Sequence, residues 1–121
     1  MSQRVQFFEY NGKRILGANF PSIRDKDEFV RAVRDVDASI VSQPRASVLV
    51  YVNFTDAVIS KEANEQMKVS AARVGPYLKG VAAIGVDGLK RVILTTAVIL
   101  SRKNVHFCST REQALDWLTT Q

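Results

Sequence analysis

The chain has 121 residues, 46% of them hydrophobic and 24% charged, which is typical of one soluble globular domain. Its net charge of +5 comes from dispersed basic residues without interleaved aromatic residues, so we expect no nucleic-acid site. No apolar run approaches the roughly 20 residues of a membrane span, the first residues lack the apolar core of a secretion signal, and the single cysteine excludes an internal disulfide. We therefore predict one cytoplasmic domain over residues 1–121 without integral membrane association.

The first predicted elements are two strands joined by a tight turn. The residues Val5–Tyr10 favour a strand, and Asn11 followed by Gly12 is a strong hairpin signal. A second strand is predicted over Arg14–Phe20, before a proline ends it. This hairpin is expected to form an antiparallel edge of the sheet.

A helix is predicted next. Asp25 and Glu28 have the spacing of a capping box, and the helix is expected to continue to about Ser42. Its apolar residues recur at helical spacing and should face the sheet: Phe29, Val33, Val36 and Ile40.

The middle of the chain predicts another strand, helix and strand. Ser47–Phe54 is a continuous apolar run, typical of a central buried strand. Ser60 is a suitable cap for a second helix, which ends at Gly75 and Pro76. Four residues of this helix should share its apolar face: Ala63, Met67, Ala71 and Val74. The next strand is predicted over Val81–Val86.

The joint after that strand contains two glycines and an aspartate. Gly85 and Gly88 permit a tight turn, and Asp87 is a good cap for a third helix over Leu89–Leu100. The joint lacks the third glycine of a dinucleotide-binding loop. We therefore interpret the joint as structural.

The last predicted elements are a short strand over residues 104–107 and a terminal helix. Thr110 and Gln113 have capping-box spacing, and the inward residues of this helix should be Ala114, Leu115 and Leu118. The complete order is ββαβαβαβα. It predicts an α/β fold: a single-layer, mostly parallel sheet with an N-terminal hairpin and helices packed on it.

Two segments carry a resemblance to a known family. Residues Ile84–Leu94 read IGVDGLKRVIL, close to the pattern Val-Gly-Val-x-Gly-Leu-x-x-Val, and Phe107–Leu118 are close to Phe-x-Thr-Arg-Glu-x-Ala-x-x-Trp-Leu. With the element order, these motifs make the chain similar to the STAS fold of anti-sigma-factor antagonists. More specifically, the chain resembles the small bacterial family described as SpoIIAA-like or STAS/CRAL-TRIO-like. The resemblance implies a regulatory module.

The resemblance also implies a regulatory phosphosite where the third strand meets the second helix. STAS antagonists carry Asp-Ser-Ser-Gly there, and this sequence is missing from residues 53–60. Thr55 and Ser60 are the hydroxyls nearest that joint and are the candidate phosphoacceptors. Helix capping alone also accounts for Ser60.

The same loop is the predicted binding surface for a partner or ligand. It comprises Phe54, Thr55, Asp56, Val58, Ile59 and Ser60. Val58 and Ile59 would form an exposed patch or the lip of an apolar cavity, or else pack as ordinary core. Asp56 and Asp87 would lie at one sheet edge, where carboxylates can bind cations or serve acid–base chemistry. Turn formation and capping explain both residues without a function, and we favour that interpretation.

We find no catalytic, metal or cofactor motif in the sequence. His106 and Cys108 alternate in a short strand and should face one side, but no further soft ligand lies nearby in sequence. The sequence therefore predicts a non-enzymatic regulatory or protein-binding module without cofactor or metal, whose partner is another protein or a second copy. The alternative is a protein that binds an apolar small molecule or lipid between its helices and its sheet.

Overall fold

A computed structural model describes residues 5–20, 26–55, 61–86 and 105–121. The strands are β1 (Val5–Tyr10), β2 (Lys13–Asn19), β3 (Val48–Asn53), β4 (Leu78–Ile84) and β5 (Val105–Cys108). The helices are α1 (Lys26–Val41), α2 (Lys61–Val74) and α3 (Arg111–Leu118). A single 3₁₀ turn, Gly75–Tyr77, joins α2 to β4.

The described strands form one five-stranded sheet in the order β1-β2-β3-β4-β5. The β1–β2 pair is antiparallel and the other three pairs are parallel. This mixed sheet confirms the predicted α/β class. The predicted third helix over Leu89–Leu100 and the caps Asp25, Ser60 and Asp87 lie outside the described residues, so the complete predicted order stays a prediction.

The hairpin turn has the geometry that its sequence predicts. Asn11 and Gly12 have φ angles of +50° and +79°, the left-handed conformation required at both central positions of a type I′ turn. Asparagine and glycine adopt that conformation at the lowest cost.

Apolar clusters cover both faces of the sheet. One face packs against α1 and α2, which include the predicted residues Phe29, Val33, Val36 and Ile40, all at most 9% exposed. The opposite face packs against α3 through Ala114, Leu115 and Leu118, which are fully buried as predicted. Right-handed crossovers between successive neighbouring strands explain why α1 and α2 share a face.

The strand β4 begins three residues before its predicted start. The β3–β4 register shifts between Val48 and Leu49, which pair with Leu78 and Gly80, so that Lys79 is an extra residue on β4. Because of this bulge, Leu78 joins the cluster beneath α1 and α2 instead of alternating away from it. The alternation over Leu78–Gly80 is therefore broken, and sequence periodicity could not find this part of the strand.

The terminal helix is capped as predicted. The Thr110 Oγ1 accepts a hydrogen bond from the Gln113 backbone N–H at 3.1 Å, and the Gln113 Oε1 accepts one from the Ser109 N–H at 3.1 Å. The hairpin reaches this helix, since the Tyr10 hydroxyl donates to Asp116 Oδ1 at 2.9 Å. The first and last described elements are thus joined directly.

Among the described helices, none combines the length and the apolar character needed to cross a lipid bilayer.

Candidate functional site: an apolar cavity with one buried carboxylate

A cavity of about 130 Å³ lies between α1, α2 and the sheet face that they cover. Of the described residues that line it, fifteen are apolar and two are polar. The apolar ones are Phe20, Val33, Val36, Ile40, Val50, Val52, Phe54, Met67, Ala71, Val74, Leu78, Val81, Ala83, Val105 and Phe107; the polar ones are Asp37 and Ser70. Such a lining suits an apolar molecule with at most one polar group.

The aromatic wall of the cavity is formed at the carboxyl ends of β2 and β3. The ring of Phe20 stacks on those of Phe29 and Phe54, each with a centroid distance of 5.2 Å. Two backbone hydrogen bonds hold the two strand ends in place, from Phe20 N–H to the Asn53 carbonyl and from Phe54 N–H to the Ile84 carbonyl. The backbone of this wall is therefore hydrogen-bonded to the neighbouring strands of the sheet.

Asp37 is the one charged residue among the described residues that line the cavity. It is only 3% exposed. Its Oδ1 accepts a hydrogen bond from the Ser70 hydroxyl at 2.5 Å, and its Oδ2 lies 3.7 Å from Arg73 Nη1. Among the described residues, that buried Oδ2 has no hydrogen-bond partner.

Burial raises the pKa of the Asp37 carboxyl above its usual value, because an apolar environment disfavours the charged form. The hydrogen bond from Ser70 and the charge of Arg73 oppose this rise without cancelling it. Among the described residues that line the cavity, Asp37 is the one with a buried side-chain atom that lacks a hydrogen-bond partner.

Sequence reasoning missed Asp37 and Ser70, which line the cavity, and Arg73, which pairs with Asp37. A signal for Asp37 was present, because it lies four residues after Val33 and three before Ile40, in phase with the apolar face of α1. Ser70 and Arg73 are similarly spaced on α2, three residues apart. The packing of α1 against α2 brings these residues together, and no local sequence pattern predicts that packing.

The predicted binding loop is described only at its start. Phe54 is 4% exposed and forms part of the cavity wall. Thr55 is exposed, and its N–H donates to Asn53 Oδ1 at 2.9 Å. The remaining loop residues, Asp56, Val58, Ile59 and Ser60, lie outside the described residues, so their binding and phosphoacceptor roles stay predictions.

The predicted strand–helix joint is described at Gly85, whereas Asp87 and Gly88 lie outside the described residues. Gly85 has a φ of +74°, and a Cβ atom there would overlap the backbone of Thr55. A glycine is therefore required by conformation and by space together. The joint and the start of the predicted loop are in contact at the same sheet edge.

His106 and Cys108 share a sheet face, as predicted. The His106 ring stacks on Trp117 of α3 with a centroid distance of 4.9 Å, and Cys108 packs against the cluster beneath α3. Burial raises the pKa of the Cys108 thiol. Within the described ranges, no three His, Cys, Asp or Glu side chains are grouped to hold a metal ion.

Comparison with protein families, curated proteins and solved structures finds no match to this chain.

Proposed function

We propose that this protein is a non-enzymatic binding protein that holds a small apolar molecule between α1, α2 and the sheet. The observation that carries this proposal is the cavity of about 130 Å³, which fifteen apolar residues of the described part of the chain line. A dry apolar cavity of similar size, about 150 Å³, binds benzene in another protein. The proposed ligand is therefore of about the size of a six-membered ring.

The energetics of packing support a bound ligand. Protein interiors are normally close-packed, and apolar side chains that line a pocket lack packing partners on that side. A ligand that fills the cavity restores the missing contacts.

Benzene is the probe that tests this proposal. At ten times its dissociation constant it should stabilise the native state by about 1.4 kcal/mol, a shift of several degrees in Tm. Ala71→Leu places a larger side chain into the cavity and should abolish the shift. Ala72→Leu makes the same change at the exposed neighbour on α2 and should leave the shift intact.

Two results would contradict the proposal. One is a wild-type protein whose Tm does not respond to benzene, and the other is an equal response of both leucine variants. Native mass spectrometry of the freshly purified protein would then reveal a natural ligand as an added mass.

The second candidate function is a cytoplasmic regulatory module that binds a protein partner through the loop after β3. It is supported by the contact of Gly85 with Thr55, which joins two sequence-predicted segments at one sheet edge. The resemblance to SpoIIAA-like proteins favours the same surface, with Thr55 and Ser60 as candidate phosphoacceptors. A second copy of the chain is the other partner that this proposal allows.

Paired substitutions test this second candidate. Val58→Asp together with Ile59→Asp should abolish capture of a partner, because charges would replace apolar contacts. Val69→Asp is the control, since Val69 lies on α2 and is already 51% exposed. Unchanged capture by the double variant would exclude this surface, as would equal loss in the control.

A further inference from the structure

Asp37, which lines the cavity, has a buried carboxylate oxygen that the described residues leave without a hydrogen-bond donor. Asp37 is 3% exposed and lines the cavity, and its Oδ1 is occupied by the Ser70 hydroxyl. Its buried Oδ2 accepts no hydrogen bond from the described residues. A buried carboxylate oxygen without a donor destabilises the native state, so a ligand that supplies the donor would recover part of that cost.

The charge of Asp37 already has a partner. Arg73 Nη1 lies 3.7 Å from Oδ2, which is within ion-pair distance but too long for a hydrogen bond. The Arg73 side chain is 56% exposed and so approaches from the solvent side. Oδ2 therefore needs a hydrogen-bond donor and not a second positive charge.

These two facts exclude most polar groups for the ligand. A ligand carboxylate would bring a second negative charge beside Asp37 in a medium of low dielectric constant. An ammonium group would lose its hydration and would approach Arg73, a like charge. A ligand that only accepts hydrogen bonds would leave Oδ2 without a donor.

We propose that the cavity is selective for small apolar molecules with one uncharged hydroxyl group, an alcohol or a phenol, which donates its hydrogen bond to Asp37 Oδ2. This inference rests on the proposed ligand-binding function and adds the chemical class of the ligand. Phenol and toluene are the matched probes, because they differ only by a hydroxyl in place of a methyl group.

The dissociation constants of both probes are measured for the wild type, Asp37→Asn and Asp35→Asn at a pH above the folded-state pKa of Asp37, where its carboxyl is ionised. Asp37→Asn removes the anionic acceptor, so the preference for phenol over toluene should fall by about tenfold, which corresponds to 1.4 kcal/mol. Its affinity for toluene should stay within about twofold. Asp35 is exposed on the same helix, so Asp35→Asn should change neither value.

The outcomes separate this inference from the function on which it rests. If the wild type binds neither probe, the proposed function itself fails. If it binds toluene but the phenol preference is the same in Asp37→Asn, the cavity binds ligands and the hydroxyl selectivity is wrong. Tighter binding of pyridine than of benzene would also overturn the inference, because it would make Asp37 a donor.

If Asp37→Asn does not fold, two further measurements still test the inference. Asp37→Leu also removes the acceptor, and it leaves no buried unpaired charge because the Arg73 side chain is 56% exposed. In the wild type, the ¹³C chemical shift of the Asp37 carboxyl should move on addition of phenol and not on addition of toluene. Equal responses to both probes would contradict the proposed hydrogen bond without any substitution.

Discussion

The two glycines with positive φ make a matched pair from which the cost of a close backbone contact can be measured. Gly12 and Gly85 have φ angles of +79° and +74°, so alanine at either position has the same conformational strain, about 1–2 kcal/mol. Only the surroundings differ. A Cβ on Gly12 would have no atom within 4 Å, whereas a Cβ on Gly85 would overlap the Thr55 backbone.

We therefore expect Gly12→Ala to lower the free energy of unfolding by about 1–2 kcal/mol, which is the strain alone. Gly85→Ala should lower it by about 2–5 kcal/mol, since overpacking adds about 1–3 kcal/mol when the backbone must move. Asparagine tolerates the left-handed conformation better than alanine does. Gly12→Asn should therefore cost little, while Gly85→Asn should stay costly.

Urea denaturation of the four variants measures these differences, with equal m-values as the check that the unfolding transition is unchanged. If Gly85→Ala lowers the free energy of unfolding no more than Gly12→Ala does, the contact with Thr55 adds no cost and the prediction is wrong. The prediction is also wrong if asparagine is as stabilising relative to alanine at position 85 as it is at position 12.

Two other predictions concern the carboxyl of Asp37 and the cap of α3. The pKa of Asp37 is raised in the folded state, so above about pH 4 the native protein binds more protons than the unfolded protein does. The free energy of unfolding should therefore fall as the pH rises through the folded-state pKa of Asp37. Urea titrations from pH 4 to pH 8 should show this loss in the wild type and a smaller one in Asp37→Asn; parallel profiles would contradict it. Thr110→Ala should lower the free energy of unfolding by about 1 kcal/mol, because the Gln113 N–H loses its acceptor, whereas Thr110→Ser keeps the hydroxyl and should cost much less. Equal values for the two Thr110 variants, again by urea denaturation, would show that the cap contributes nothing.

A ligand in the proposed site would stabilise the domain around the cavity. The wall at Phe20 and Phe54 is held by the strand ends, whereas Asp37, Ser70 and Arg73 belong to two helices that meet above the sheet. Occupation of the cavity would therefore join α1, α2 and the sheet through one molecule. A ligand of this kind stabilises the native state in proportion to the logarithm of its concentration.

Local patterns were sufficient for most of the elements that the structure describes. The hairpin follows from Asn11 and Gly12, since few other residue pairs adopt two positive φ angles in succession. The inward faces of α1 and α3 follow from helical periodicity, and the cap at Thr110 follows from its spacing to Gln113. These features depend on residues at most a few positions apart.

Only the tertiary structure decided the features that depend on distant residues. The bulge at Lys79 appears only when β4 is paired with β3, and it turns Leu78 toward the cavity. Asp37 looks like a polar interruption of an apolar helix face until α2 places Ser70 and Arg73 beside it. Sequence periodicity indicates which side of a helix is buried but not what it is buried against, so the cavity and the buried carboxylate of Asp37 became visible only when the helices and the sheet were assembled.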